Sequence, residues 1–259
     1  MEIWTIYKME ILKTLKRKNS LILLIPSILV VIMSFALSTG GLTLTGDGLT
    51  ENSQFACLDF INTLWAFFSM LGIWGILLIL VAAFQFSGEV SSGQIKMTLL
   101  RVGKRGRVIV AKFLALMTVT ACAFILFTLV IAGSYYLFIA GSSIGNGHFQ
   151  SGMIELPEVL ASILFIFLHL SLFMAVTFLA GLYLSPFTTF VTALIGMFVV
   201  NYLIGANTFS FLKYSALSVS NNLIAGKAEH LLPALLSTLA IISLFLALAS
   251  LLFKRVDIK

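Results

Sequence analysis

Charged residues are scarce in this chain: Asp, Glu, Lys and Arg make up 10% of its 259 residues, against about a quarter in soluble domains. Apolar residues take 60%, and a water-soluble fold is excluded. Cysteine is nearly absent. Cys57 falls in a loop and Cys122 inside an apolar run, so neither a disulfide framework nor a thiolate metal site is available; both read as structural, and no metal site is expected. Catalytic patterns are missing as well. No Ser-His-Asp, HExxH or paired-carboxylate arrangement points to hydrolytic chemistry. Gly226-Lys227 lacks both the earlier glycine and the following hydroxyl of a phosphate-binding loop. The chain is therefore not expected to be an enzyme, nor to bind nucleotide itself. Its acidic residues lie at positions 2, 10, 47, 51, 59, 89, 155, 158, 229 and 257, all at ends, loops or margins of apolar runs. A proton-coupled carrier usually keeps a titrating carboxylate near mid-membrane, which weakens that class, while sodium coupling through carbonyls and hydroxyls stays open.

What the chain does have is long apolar runs. Crossing about 30 Å of hydrocarbon takes roughly 20 helical residues, and runs without interior charge fall at 21–37, 60–84, 108–139, 157–184, 187–206 and 231–253. Lys112 stands near the start of the third and is expected to snorkel to the headgroups. The first run resembles a secretory leader only superficially, because the segment before it is long and carries Glu2 and Glu10. Residues 207–230 are apolar for a connection but are interrupted by Lys213, Ser218, Ser220, Asn221 and Asn222, so this segment is expected to dip into the outer leaflet without crossing.

Six crossings sort the cations. Lys8, Lys13, Lys16, Arg17 and Lys18 precede the first; Lys96, Arg101, Lys104, Arg105, Arg107 and Lys112 follow the second; Lys254, Arg255 and Lys259 form the tail. The first and third loops hold no Lys or Arg but carry Asp47, Glu51, Asp59 and Glu155. The positive-inside rule then places both termini in the cytoplasm, and no nucleic-acid partner is needed to explain the net charge of +6. Within residues 1–19, Ile3, Tyr7, Ile11 and Leu15 recur every fourth position opposite Lys13, Lys16 and Arg17. This predicts an amphipathic helix in the plane of the inner leaflet, its cations toward acidic lipid headgroups; the alternative is a basic flank that only orients the first crossing. Inside the runs, the polar residues His169, Asn62, Gln85 and Asn201 serve either a substrate path or hydrogen bonds between helices.

The stretch 86–112 reads FSGEVSSGQIKMTLLRVGKRGRVIVAK. Glu89, Gly93, Ile95, Lys96, Leu99, Leu100, Arg101, Arg105 and Lys112 fall in one ungapped register that resembles the inner loop of type 2 ABC exporter permeases. Gln94 replaces the family's threonine, Val102 its proline, Lys104 its hydroxyl residue and Ala111 its glycine. The resemblance implies an all-α, six-span permease in a bacterial plasma membrane. It would work as a homodimer or pseudo-dimer with two ATP-binding subunits that carry the ATP and Mg, this chain holding no cofactor. Residues 86–107 would be the cytoplasmic coupling loop, with Glu89, Gly93, Gln94, Ile95, Lys96, Leu99, Leu100, Arg101 and Arg105 contacting or positioning the ATPase. A short helix over 91–100 is expected, Ile95, Leu99 and Leu100 forming its apolar docking face and Lys96 and Arg101 the rim. A solvated basic loop that only fixes topology is the bland alternative.

The resemblance also implies that the second and fifth spans line the route, where the chain offers Asn62, Trp65, Phe68, Phe190, Phe198, Asn201 and Tyr202; His169 is a further candidate. Twenty-three phenylalanines suit an apolar or amphipathic cargo, such as a membrane-active peptide, toxin or antibiotic, with drug, lipid or polysaccharide export open. Two rival readings are an ATP-independent carrier or channel and a membrane scaffold that transports nothing.

Overall fold

In the computed structural model, the structure describes residues 3–42, 54–102, 105–152 and 154–254; for Arg101, Val102 and Arg105 only the backbone is described. Asp47, Glu51, Lys104, Arg255 and Lys259, used above in the charge count, lie outside these residues. Uninterrupted apolar sequence produces helix almost throughout, since in hydrocarbon each backbone donor and acceptor must be satisfied within its own segment. The helices are α1 (Ile3–Lys16), α2 (Ile25–Ser38), α3 (Cys57–Met70), α4 (Ile73–Ser91), α5 (Ile95–Val102), α6 (Arg105–Ser134), α7 (Leu156–Ala180), α8 (Pro186–Gly205), α9 (Ala216–Ile224) and α10 (Leu231–Phe253). A 3₁₀ segment, Lys18–Leu24, leads into α2, and a π-helical turn, Tyr135–Ile139, extends α6. Helix starts carry local signals. Asp59 Oδ2 accepts from the Ala56 N–H at 3.2 Å and Glu158 Oε2 from the Glu155 N–H at 3.2 Å, each side chain reaching back to an orphan donor. Pro157 and Pro186 sit in first turns, where no donor is lost.

Among the described residues, six helical stretches are long and apolar enough to cross a bilayer: Lys18–Ser38, Ile73–Ser91, Gly106–Ile139, Leu156–Ala180, Pro186–Gly205 and Leu231–Phe253. The protein is an all-α, multi-pass membrane protein. The second crossing differs from its expected outline. Residues 60–84 are not one helix, because Gly72 takes a left-handed conformation (φ 66°) that ends α3 and restarts the chain as α4. With 14 residues, α3 is about 21 Å long and too short to cross. The crossing is α4, which continues helical through Phe86 to Ser91, a stretch expected to be loop.

Contacts divide the bundle into two ends. At one, α1 meets the end of α4 and the start of α6 through Arg17–Glu89 and Lys112–Glu10 ion pairs. The Ser87 hydroxyl reaches the Leu184 carbonyl in the α7–α8 turn at 2.6 Å, and Gly106 lies against Ser250 near the end of α10. At the other end, the Phe55 N–H donates to Ile144 O (2.8 Å) and Leu58 N–H to Phe149 O (3.0 Å). Asn62 Nδ2 reaches Ile224 O there at 3.3 Å. Every described segment of the cation-rich set thus shares the first end, while Lys213 and Lys227 lie in the segment that belongs to the second. In that segment, α9 packs on α7, burying Ala216, Val219 and Leu223 with Phe165 and Leu168. Its nine residues are too few to cross.

The core is widest around α3, α4 and α6. Trp65 stacks on Trp74 (centroids 6.0 Å apart) and meets Phe124 at 4.8 Å and Phe127 at 4.9 Å, and Phe68 meets Phe127 at 5.1 Å. Such pairs each add about 0.5–1.5 kcal/mol beyond area burial. By contrast α8 and α10 bury little of their length and form the flanks.

Candidate functional site: a buried ion cluster beneath a short helix

Sequence alone did not assemble the chief polar feature of the molecule. Glu89, only 2% exposed, sits one turn from the end of α4. Its Oε1 accepts from Lys13 Nζ at 2.5 Å and from Arg17 Nη2, and its Oε2 faces Lys112 Nζ at 2.5 Å. Lys112, 7% exposed, also donates to Glu10 Oε2 at 2.6 Å. Three cations from α1, the residue after it, and α6 are therefore matched to two carboxylates from α1 and α4. Around them, Arg17 Nη1 donates to the Gln85 carbonyl (3.3 Å), Gln85 Nε2 to Ser20 Oγ (2.8 Å), and Ser20 Oγ to the Thr14 carbonyl (2.6 Å). Glu89, Glu10 and Lys112 are buried while Lys13 and Arg17 are partly exposed, and buried charges persist only when paired and hydrogen-bonded.

Two expectations are corrected here. Lys112 does not snorkel; it turns inward, because two buried carboxylates offer more than a headgroup can. In α1 the side facing the bundle is Ile6, Glu10 and Thr14; Ile3 and Leu15 of the expected lipid-facing stripe are exposed, and what differs is the placing of two cations. Lys13 and Arg17, expected to face lipid, instead hold Glu89.

Beyond Glu89 the chain turns at Gly93, whose φ of 70° suits a residue without Cβ, and forms α5. Its placement revises the docking face. Ile95 is fully buried in the protein's own core and Leu99 packs partly against it. The apolar side chains that point outward are Met97 and Leu100, the latter 82% exposed, with Gln94 and Lys96 beside them. The side chains of Arg101 and Arg105 lie outside the described residues.

The residues expected to line a route are brought together only in part. Phe68, His169 and Asn201 border one cavity at the Gly72 break, together with Trp74 and Met197. Across it His169 Nε2 and Asn201 Oδ1 are 2.9 Å apart, joining α7 to α8, and Phe198 leans over Gly72. Trp65 and Phe68 are fully buried in the aromatic core, and Trp65 Nε1 is used on Thr128 Oγ1 at 3.1 Å. Asn62 is occupied by the end of α9. Phe190 is half-buried against the core, and Tyr202 faces outward on α8.

The residues missed by the sequence reading are Glu10, Lys13, Arg17, Gln85 and Lys112 as one unit. A signal existed: Glu10, Thr14 and Arg17 repeat at helical spacing along α1. Compared with known proteins, the chain matches no family model and no curated protein.

Proposed function

We propose that this chain is the transmembrane subunit of an ATP-driven exporter, worked by a separate ATPase subunit that docks on α5. The observation that carries the reading is mechanical. A short helix with outward Met97 and Leu100 is rooted by Ile95 in the core, and the ion cluster at Glu89 ties its base to three helices. A push on α5 would reach α1, α4 and α6 together, because buried ion pairs resist being separated one at a time. Two ATPase subunits carrying ATP and Mg would serve a homodimer or pseudo-dimer of permeases, with the cation-rich end in the cytoplasm of a bacterial cell. The cargo would be apolar or amphipathic, a membrane-active peptide, toxin or antibiotic. The cavity at the Gly72 break, bordered by His169 and Asn201, is the point inside the chain where a route residue could respond to it.

The test is Met97→Asp with Leu100→Asp, both exposed and outside the core. The variant is expected to insert normally, yet to lose copurification of the ATPase and its stimulation by the permease. Unchanged copurification would remove α5 as the docking element. Ile95→Asp cannot decide the matter, because it would place a charge in the protein's own interior.

A further inference from the structure

The outer side of α1 combines exposed apolar side chains with exposed lysines, where its inner side carries the paired charges. Trp4, 58% exposed, stands with Leu12 and Leu15 on the side away from the bundle, while Glu10, Lys13, Thr14 and Arg17 face Glu89, Gln85 and Lys112. Exposed cations stand on the same outer side: Lys8, whose Nζ sits 5.3 Å from the Trp4 ring centroid, and Lys16, with Lys18 just beyond the helix. In water this arrangement would leave a tryptophan and two leucines uncovered among the lysines. Against a bilayer it is satisfied: aromatic and leucine side chains enter the headgroup boundary and lysines meet anionic headgroups. The adjoining Leu21 is exposed too and opens the first membrane-crossing stretch, so the outer side of α1 continues directly onto a lipid-facing surface.

We propose that α1 senses lipid charge: its outer side binds the anionic headgroups of one leaflet, and its inner side passes that occupancy through Glu89 to the loop helix α5. The path is short. Lys13 and Arg17 on the inner side hold the carboxylate of Glu89. Two residues later Ser91 ends α4, and the chain turns at Gly93 into Ile95, which is seated in the core. Anchoring of α1 by headgroups keeps Lys13 and Arg17 on Glu89 and holds the base of α5 in register. With neutral lipids α1 keeps its ion pairs and its Tyr7–Thr118 hydrogen bond but loses the headgroup anchor on its outer side, and the base of α5 loosens. The inference stands whether or not an ATPase works the loop, because both of its readouts use this chain alone.

The experiment reconstitutes the full chain in bilayers of phosphatidylcholine or of an equal mixture with phosphatidylglycerol. Trp4 is the exposed tryptophan, Trp65 and Trp74 being buried, so the difference between wild type and Trp4→Phe isolates its fluorescence. Brominated phosphatidylglycerol is expected to quench Trp4 more strongly than brominated phosphatidylcholine at the same mole fraction, each lysine removed lowering that preference about fivefold. Amide exchange in Ile95–Val102 is expected to be severalfold slower in the anionic bilayer. Glu89→Gln should keep the quenching preference and lose the lipid dependence of exchange. Should Glu89→Gln fail to insert, Lys8→Gln with Lys16→Gln and Lys18→Gln, which alters none of the buried groups, carries the test: lipid dependence of both readouts disappears. Equal quenching by the two lipids overturns the proposal, as does no quenching by either, which would mean that protein covers α1. A quenching preference with unchanged α5 exchange overturns it equally, leaving α1 an anchor only.

Discussion

Lys112 is the residue on which the ion cluster turns, since among the described residues it alone reaches both carboxylates, at 2.6 Å from Glu10 and 2.5 Å from Glu89. Replacing it by methionine preserves the stem and removes the charge. Glu89 keeps Lys13 and Arg17, but the cation facing buried Glu10 is gone. Breaking one side of a buried pair costs about 3–5 kcal/mol. Lys112→Met is accordingly expected to be destabilised by that order in detergent unfolding, with Glu10→Gln in the same chain restoring a large part. Additive effects of the two substitutions would show that the pair is not coupled. Sequence reading placed Glu89 and Lys112 in the loop motif and Glu10 in the N-terminal leader, yet could not join them, because Glu10 and Lys112 are 102 positions apart in the chain and only the packing of α1 on α6 closes that distance.

At the scale of elements, the break between α3 and α4 separates a buried aromatic helix from the helix that crosses. Gly72 supplies the left-handed turn, and a non-glycine residue there costs roughly 1–2 kcal/mol. An added methyl would meet only ordinary contacts with Phe198 and Met197, the nearest at 3.5 Å, so Gly72→Ala is expected to lose about that much in an unfolding series and no more. No loss would mean that α3 and α4 join into one straight helix. The apolar content of residues 60–84 was legible as membrane sequence, but its division was not, because one glycine in an apolar run gives the same hydropathy whether or not the chain turns there. The outward face of α5 escaped for a related reason. Ile95, Leu99 and Leu100 look alike as an apolar set, and only the core beneath α5 decides that Ile95 goes inward and Leu100 outward.

Across the whole molecule, the six helices long and apolar enough to cross, and the gathering of the described cation-rich segments at one end, follow from the apolar runs and the charge placement, and both were readable in advance. Opposite ends should be chemically distinct in a sealed vesicle. Cysteines introduced one at a time at Met97, Leu100 and Tyr183, in a chain with Cys57→Ala and Cys122→Ser, are expected to react with an impermeant maleimide from one side. Cysteines at Phe149 and Lys227 should react from the other. Labelling of Tyr183 and Phe149 positions from the same side would refute α7 as a crossing. What composition could not foresee is how deeply the N-terminal helix belongs to the bundle, its Tyr7 hydroxyl sharing a 2.7 Å hydrogen bond with Thr118 well inside α6.

That partnership also orders the assembly of the protein in time. During synthesis, the acidic side chain at position 10 emerges long before the lysine that will neutralise it, and the first two crossings must be threaded into lipid while it waits. A nascent chain halted before position 112 would therefore have Glu89 to receive Lys13 and Arg17 but no cation for Glu10, and the N-terminal helix is fully seated only when the third crossing arrives.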